Sequence, residues 1–299
     1  MKPPPFGYSR PESVAEAVAV LASTGPDGKV LAGGQSLVPL LNMRLATPGH
    51  LVDINRLTEL AYVSVAGGHV MIGALARHAQ VLADPVVAAA QPLIAQALRL
   101  VAHPVIRNRG TTVGSIVHAD PSGEMTAVLA LLGGTVLLAS TGGERSVSAE
   151  DFFLGPLESD VRPDELATQV SLPVLAARAG CAFAEVSRRS GDYAVCGVAA
   201  LVELDDAGGI SRARAAYLSV AGTPLIIDLT EACGGAAGGA GRAGGAGGDL
   251  AAAGRLAMAR VSPGSDLHAT AAYRRHLAGV LSERALAGAL AHARGRSDG

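Results

Sequence analysis

The sequence is poor in aromatic and charged residues. It contains no tryptophan, aromatic residues make up 3% and charged residues 17% of its 299 positions, and the net charge is −2. No run of lysine and arginine occurs, so the positive footprint of a nucleic-acid-binding surface is missing. No stretch approaches the roughly 18 consecutive apolar residues of a membrane-spanning helix. These absences argue against nucleic-acid binding and against a transmembrane segment.

Cysteines are few and scattered. Cys181, Cys196 and Cys233 form no CxxC or Cys/His pattern of the kind that holds zinc or an iron–sulfur cluster. The N-terminal residues MKPPPFGYSRPES have prolines where a secretory signal would need an apolar run. The sequence therefore predicts a chain that binds no metal by itself and is cytoplasmic.

The first part of the chain alternates helix and strand signals, which is typical of α/β units. A serine-capped helix at RPESVAEAVAVLAST precedes a strand at KVLAGG, a helix at SLVPLLNMRLATP that Pro48 stops, and a strand at HLVDINRL. Two strands around a Gly-Gly turn follow, and then helices at RHAQVLAD, at PVVAAAQPLIAQALRLVA and from near Gly123 or Glu124. We expect one domain over 1–175, with subdomains over about 1–57 and 58–175.

The rest of the chain, 176–299, predicts a second domain of a different pattern. Three strands joined by turns, CAFAEVSRR, AVCGVAALVELD and RARAAYLSVAG, predict an antiparallel sheet, and the last segment has helical spacing. The Gly/Ala-rich segment 234–248 cannot bury a core and is expected to be a mobile surface loop. The fold class is α+β.

Two glycine-containing loops are the candidate binding elements. Gly33 and Gly34 lie between a strand and a helix that opens at Ser36, where main-chain N–H groups without helical partners attract anions. The alternative is a plain strand-to-helix turn. A second loop contains Gly110 and Gly114. Neither loop fits GxxxxGK[ST] or GxGxxG, but together they suit a ligand with a pyrophosphate, which main-chain N–H groups can bind without lysine.

Four segments then occur in order along the chain: AGGQSLVPLLNMRLATPGHLVDI, IRNRGTTVGSIVHADPSGE, EVSRRSGDYAVCGVAA and AYRRHLAGVLSERAL. Together they resemble signature segments of the FAD-binding medium subunit of molybdenum hydroxylases, the carbon monoxide dehydrogenase and xanthine dehydrogenase family. The resemblance spans nearly the whole chain. It implies a two-subdomain FAD-binding portion of the PCMH type, followed by a C-terminal domain with a three-stranded antiparallel sheet and helices.

The resemblance also implies an FAD site. Its two pyrophosphate loops match Ala32 to Ser36 and Thr111 to Ser115, an acidic contact to sugar or ribityl hydroxyls matches Glu124, and an aromatic residue beside the flavin ring matches Tyr193. Asp120 is a second candidate for the acidic contact, with a helix N-cap as its alternative role. The full set of expected FAD contacts is Leu31, Ala32, Gly33, Gly34, Gln35, Ser36, Leu37, Thr111, Thr112, Val113, Gly114, Ser115, Asp120, Glu124 and Tyr193.

Three positions depart from the family pattern. Val113 stands where many members have glycine, Val105 where glutamine is common, and Ala167 where leucine is frequent near the flavin. The first change leaves Gly114 alone to supply the closest main-chain approach in the second loop. We expect FAD binding to survive these changes, and the choice of electron acceptor to be the property they affect.

The function that the resemblance implies is electron transfer. The chain would be the FAD subunit of an oxidoreductase complex. It would take electrons from two-iron two-sulfur clusters on a small partner subunit, fed by the molybdenum cofactor on a large one, and deliver them to NAD, a quinone or another acceptor. A dimer of heterotrimers is the expected assembly. The alternatives are a self-sufficient FAD-dependent oxidoreductase, for which the sequence shows no acid–base pair, and a non-catalytic nucleotide-binding protein.

Overall fold

The computed structural model describes residues 2–234 and 249–297. The predicted mobile loop 234–248 lies outside the described residues except for Gly234. The helices are α1 Val14–Thr24, α2 Leu37–Asn42, α3 His78–Ala83, α4 Pro85–Ala90, α5 Pro92–Leu100, α6 Pro104–Arg107, α7 Thr112–His118, α8 Glu124–Leu132, α9 Ala149–Phe152, α10 Leu250–Arg260 and α11 Ala271–Ser297. The strands are β1 Gly7–Ser9, β2 Gly28–Leu31, β3 His50–Asp53, β4 Val63–Ala66, β5 His69–Gly73, β6 Thr135–Ser140, β7 Gly143–Ser148, β8 Phe153–Gly155, β9 Glu158–Ser159, β10 Leu166–Pro173, β11 Ala179–Ser187, β12 Ala194–Leu204, β13 Ile210–Leu218 and β14 Leu225–Asp228.

The first compact unit consists of Met1–Val87, His103–Ala119 and Gly133–Pro173. It contains a parallel three-stranded sheet in the order β1-β3-β2 and an antiparallel five-stranded sheet in the order β4-β5-β10-β6-β7. Helix α1 contacts strands of both sheets through a face that buries Ala17, Val18 and Leu21. Helix α1 therefore joins these two sheets, and β8 and β9 form a third, two-stranded antiparallel sheet in the same unit.

Local sequence signals explain most of these elements. Helix α1 begins after Ser13, whose hydroxyl accepts the N–H of Glu16, as expected for an N-cap. The turn between β4 and β5 places Gly67 and Gly68 at φ 57° and 77°, a backbone that fits a two-residue hairpin. The long predicted helix after Pro85 divides at Gln91, since the residue before a proline avoids helical backbone.

Helix α2 ends earlier than the sequence predicts. It stops at Asn42 rather than at Pro48, because Arg44 adopts a left-handed backbone with φ 58°. The N–H of Arg44 bonds the carbonyl of Leu41, and the N–H of Leu45 bonds that of Leu40. This pairing is a Schellman termination, which closes a helix independently of any proline.

The second compact unit consists of Ala88–Ala102, Asp120–Leu132 and Val174–Gly299. Two of its segments therefore come from the part of the chain before Leu175, where the sequence places its domain boundary. The three predicted strands form β11, β12 and β13 of an antiparallel sheet, and β14 adds a fourth strand beside β13. Sequence reasoning missed this short strand.

The core of the second unit lies against β12. Both alternating sets of β12 side chains are buried, so helices cover both faces of this strand. Helix α11 packs on β11 and β12 and against α10, while α8 contacts β12 and β13. All three cysteines are buried and unbridged, and burial raises the pKa of Cys181 and Cys196 to about 12 and that of Cys233 to about 11. Their thiols are therefore apolar packing groups rather than nucleophiles at neutral pH.

Among the described helices, none combines the length and apolar character needed to cross a membrane.

The contact between β11 and α11 generates a stability prediction. A Cβ atom at Gly180 would meet the carbonyl of Ala289 and the N–H of Ala293 on α11, and it would lie 2.8 Å from the Ala293 Cα. Since backbone atoms cannot rotate away, Gly180→Ala should lower the free energy of unfolding by about 1–3 kcal/mol. Chemical denaturation of the full chain measures this change.

The matched control is Gly295→Ala, because a Cβ at this helical glycine meets nothing within 4 Å. It should leave stability unchanged or raise it by up to about 1 kcal/mol. Equal stability of the two variants would contradict the close packing of α11 on β11.

Candidate cofactor-binding site

The first glycine loop connects β2, which ends at Leu31, to α2, which begins at Leu37. Gly34 has φ 71°, so the loop needs a residue that tolerates a left-handed backbone. Within the described residues, the main-chain N–H groups from Gly33 to Leu37 have no hydrogen-bond acceptor. The hydroxyl of Ser36 does not cap the helix either. The loop therefore presents a run of free donors, which is the arrangement that binds an anion.

The second loop offers fewer free donors. Thr111 caps α7, and its hydroxyl accepts the N–H of Gly114 at 3.2 Å. The N–H of Thr112 bonds the carbonyl of Ala76, and the N–H of Ser115 bonds that of Thr111. In this loop as described, the N–H groups of Thr111 and Val113 are left without an acceptor. The N–H of Gly114, the residue that the sequence singles out, is therefore bonded within the cap and is not free for a ligand.

The two loops meet at Gly33. A Cβ atom there would lie 2.5 Å from the carbonyl oxygen of Arg109 and 2.8 Å from the Cα of Gly110. Real Cβ atoms do not come this close to a backbone, so only glycine allows the contact. The segment that leads into the second loop thus packs directly on the first loop, as the two-loop hypothesis requires.

Three polar side chains beside the loops were missed by the sequence reasoning. Asn55 and Arg77 hydrogen-bond carbonyl groups of the loops, and His78 packs against Gly110. His78 is 3% exposed, and burial, with Arg107 nearby, lowers its pKa to about 4. The ring is therefore neutral at pH 7, and its Nδ1 lies 3.2 Å from the hydroxyl of Thr112. No motif marks these residues, because each acts through a contact that is distant in sequence.

The second unit holds the other three predicted contacts, which are electrostatic neighbours. Glu124 begins α8 and is 8% exposed, and burial, with Glu185 and Asp120 nearby, raises its pKa to about 8. Tyr193 has an exposed ring, and its phenol pKa is raised by partial desolvation and by Asp120 and Glu124. The structure therefore brings Asp120, Glu124 and Tyr193 into one group.

Asp120 does not cap α8. Its carboxylate accepts the N–H of Ser122 at 2.8 Å, and its carbonyl accepts the N–H of Gly123. These bonds close a turn that comes before the helix begins at Glu124. The N-cap alternative for Asp120 is therefore wrong.

Glu185 on β11 is a third acidic residue of this group, and the sequence reasoning missed it. Burial raises its pKa to about 7, and its Oε2 has no hydrogen-bond partner among the described residues. A lone acidic residue within the apolar strand segment CAFAEV was the only sequence signal. Among the described residues, these included, no group of three or more His, Cys, Asp or Glu side chains could hold a metal ion.

Both parts of the chain match known protein families. Residues 4–175 match the family model of the FAD binding domain in molybdopterin dehydrogenase, and residues 181–289 match that of the CO dehydrogenase flavoprotein C-terminal domain. The chain is 40% identical to the 6-hydroxypseudooxynicotine dehydrogenase complex subunit alpha of Paenarthrobacter nicotinovorans, over 98% of this chain and 97% of the relative.

Two further similarities involve Hydrogenophaga pseudoflava. The chain is 37% identical to the carbon monoxide dehydrogenase medium chain of that organism, over 96% of this chain and 97% of the relative. A solved carbon monoxide dehydrogenase from the same organism, which lacks the Mo-pyranopterin moiety of its molybdenum cofactor, matches with a TM-score of 0.89. That alignment has 37% identity and covers 98% of this chain and 99% of the other.

The raised pKa of Glu124 predicts a pH dependence. Between about pH 4.5 and 8 the folded chain keeps a proton that the unfolded chain loses, so the free energy of unfolding falls as pH rises through this window. Glu124→Gln removes the titrating carboxyl, so this decrease in the free energy of unfolding should not occur. At pH 9 the FAD-free variant should be more stable than the parent chain by about 2–4 kcal/mol, with little difference at pH 4.5.

Chemical denaturation at several pH values measures the difference, and the exposed Glu59 supplies the control as Glu59→Gln. If the difference in the free energy of unfolding between Glu124→Gln and the parent chain is constant from pH 4.5 to 9, the Glu124 carboxyl is not held neutral in the folded chain.

Proposed function

This chain belongs to the family of FAD-binding medium subunits of molybdenum hydroxylases, and on that premise we propose that it relays electrons from a partner subunit to an external acceptor. The chain is an oxidoreductase subunit with FAD as its cofactor. The observation that supports FAD binding, on which the relay depends, is the run of free main-chain donors from Gly33 to Leu37, held against the segment that leads into a second loop.

The first loop offers the hydrogen-bond donors that a pyrophosphate needs. A pyrophosphate carries negative oxygens that accept several hydrogen bonds. The five successive N–H groups of the loop have no hydrogen-bond acceptor within the described residues and can donate to these oxygens. The free hydroxyl of Ser36 adds a sixth donor. The N–H groups of Thr111 and Val113 are the contribution of the second loop to the same group. Because successive main-chain N–H groups attract an anion, such a loop can bind phosphate without the lysine that a P-loop uses.

The residues of the second unit are proposed contacts to other parts of FAD. Glu124 and Asp120 would bond sugar or ribityl hydroxyls, and Tyr193 would lie beside the flavin ring. A neutral Glu124 carboxyl can both donate and accept a hydrogen bond, which suits a hydroxyl better than a carboxylate alone does. These assignments extend the family pattern onto this sequence by position.

Bound FAD supplies a carrier that accepts and releases electrons one or two at a time. The proposed donors are the iron–sulfur clusters of a small partner subunit, reduced by the molybdenum centre of a large one. NAD, a quinone or another oxidant would be the acceptor, and a dimer of heterotrimers would be the assembly.

Leu31, the last residue of β2, and Leu37, the first residue of α2, lie at the two ends of the first loop.

The pyrophosphate assignment predicts the effect of Gly33→Ala. Its Cβ would press on the carbonyl of Arg109 and the Cα of Gly110, so one loop must shift and its donors move with it. The dissociation constant for FAD should rise about tenfold or more, since each lost hydrogen bond to an anion costs about 1.5–3 kcal/mol. Titration of the FAD-free chain, followed by flavin fluorescence, measures it.

Gly49→Ala is the control, because a Cβ at Gly49 makes only ordinary contact with Asp27 at 3.4 Å. FMN lacks the pyrophosphate, so the parent chain should bind FMN more weakly than FAD. Equal binding of FMN and FAD, or full FAD affinity in Gly33→Ala, would exclude the two-loop site.

The relay predicts the direction of electron flow. Anaerobic mixing of the FAD-loaded chain alone with a substrate of the assembled complex should leave the flavin absorbance unchanged. The same substrate should bleach the flavin once the iron–sulfur and molybdenum subunits are added. Rapid bleaching by the chain alone would instead identify a self-sufficient oxidoreductase. Tyr193→Ala should retain FAD, because the pyrophosphate contacts lie elsewhere, but should change the rate of reoxidation by the acceptor.

A further inference from the structure

A side-chain bridge joins the two loops. Asn55 Nδ2 donates to the carbonyl oxygen of Ala32 at 2.9 Å, and Arg77 Nη2 donates to Asn55 Oδ1 at 2.7 Å. Arg77 Nη1 donates to the carbonyl oxygen of Arg109 at 2.5 Å. We propose that Asn55 and Arg77 are positioning residues that fix the spacing of the two loops and thereby set the affinity for the pyrophosphate. The inference rests on the proposed FAD site.

Asn55 is itself held in one orientation. Asp53 Oδ1 accepts both the main-chain N–H of Asn55 at 2.9 Å and its Nδ2 at 2.6 Å. The hydroxyl of Tyr8 donates to Asp53 Oδ2 at 2.5 Å, which anchors the carboxylate in turn. With both donor and acceptor atoms of the Asn55 amide engaged, the side chain cannot flip without losing bonds at each end.

Arg77 is anchored to the second loop by its own backbone. The residues on either side of it pair with that loop, through His78 N–H to the Gly110 carbonyl at 2.9 Å and Thr112 N–H to the Ala76 carbonyl at 3.2 Å. The guanidinium then reaches across to Asn55, so one residue spans both loops. Its planar fork bonds two acceptors in fixed directions, which the single ammonium of a lysine does not reproduce.

The bridge orients a free donor. In a planar trans peptide the C=O and the following N–H point in opposite directions. Holding the Ala32 carbonyl on Asn55 therefore turns the Gly33 N–H away from Asn55, and this N–H is the first of the free donors in the loop. Loss of the bridge would leave that peptide able to rotate, so that the donor is no longer fixed before the ligand arrives.

The test measures binding of FAD and of ADP, which carries a pyrophosphate without a flavin, to the FAD-free full chain. Asn55→Ala and Arg77→Gln should each raise the dissociation constant of FAD about tenfold, and that of ADP by a similar factor. Because the two residues act as one bridge, the double variant should also lose about tenfold rather than about a hundredfold. Arg77→Lys should lose at least about threefold.

Arg56→Gln is the matched control. Arg56 adjoins Asn55 in sequence, but its ion pair with the exposed Glu12 lies outside the bridge, so FAD affinity should not change. Thermal unfolding of each FAD-free variant separates binding from folding. Lower stability with unchanged affinity for FAD and ADP would reduce the bridge to a purely structural role and overturn the inference.

Two further outcomes are decisive. If Asn55→Ala and Arg77→Gln do not fold, Arg77→Lys decides alone, and unchanged FAD affinity in that variant overturns the inference. If Gly33→Ala loses FAD while the folded bridge variants keep it, the bridge is wrong and the two-loop site stands. If Gly33→Ala also keeps full affinity, the site itself fails.

Discussion

The candidate site depends on one contact that has no side chain in it. Gly33 lies so close to the Arg109 carbonyl and the Gly110 Cα that any Cβ would collide with main-chain atoms. This approach lets two segments from distant parts of the chain act as one surface. That packing holds the first loop against the second segment, and its free N–H groups are the proposed phosphate donors, since a run of main-chain N–H groups needs no charged side chain to attract an anion.

The titratable side chains beside the two loops keep one protonation state near pH 7. Asp53 lies beside the positive charge of Arg77, and the buried ring of His78 stays neutral at pH 7, so no titration near pH 7 disturbs this region. The carboxyl of Asp53 itself is partly buried, which favours its protonated form, but bonds from Tyr8 and Asn55 hold its pKa below the ordinary value. The geometry of the two loops therefore does not change with pH across the physiological range.

The second unit follows a different electrostatic principle. Burial raises the pKa of Glu124 and Glu185 into the range near neutral pH, so these carboxyls change charge where the loops do not. The resemblance predicts Glu124 as an acidic contact to FAD, but it does not predict the protonation of this side chain. Protonation follows from packing at the start of α8, which removes the side chain from water.

Elements with local causes, and the family, follow from the sequence alone. Ser13 caps α1, the Gly67–Gly68 pair turns the β4–β5 hairpin, and the order of four motifs identified an FAD subunit. Tertiary packing, in contrast, places the fourth strand β14 beside β13 and sets the surroundings of Asn55, Arg77 and Glu185. Asn55 meets Ala32 across 23 positions and Arg77 meets Arg109 across 32, so their partners are set by how the chain packs. Spacing within a motif carries no record of such contacts, and a pKa depends on burial by residues that no motif contains.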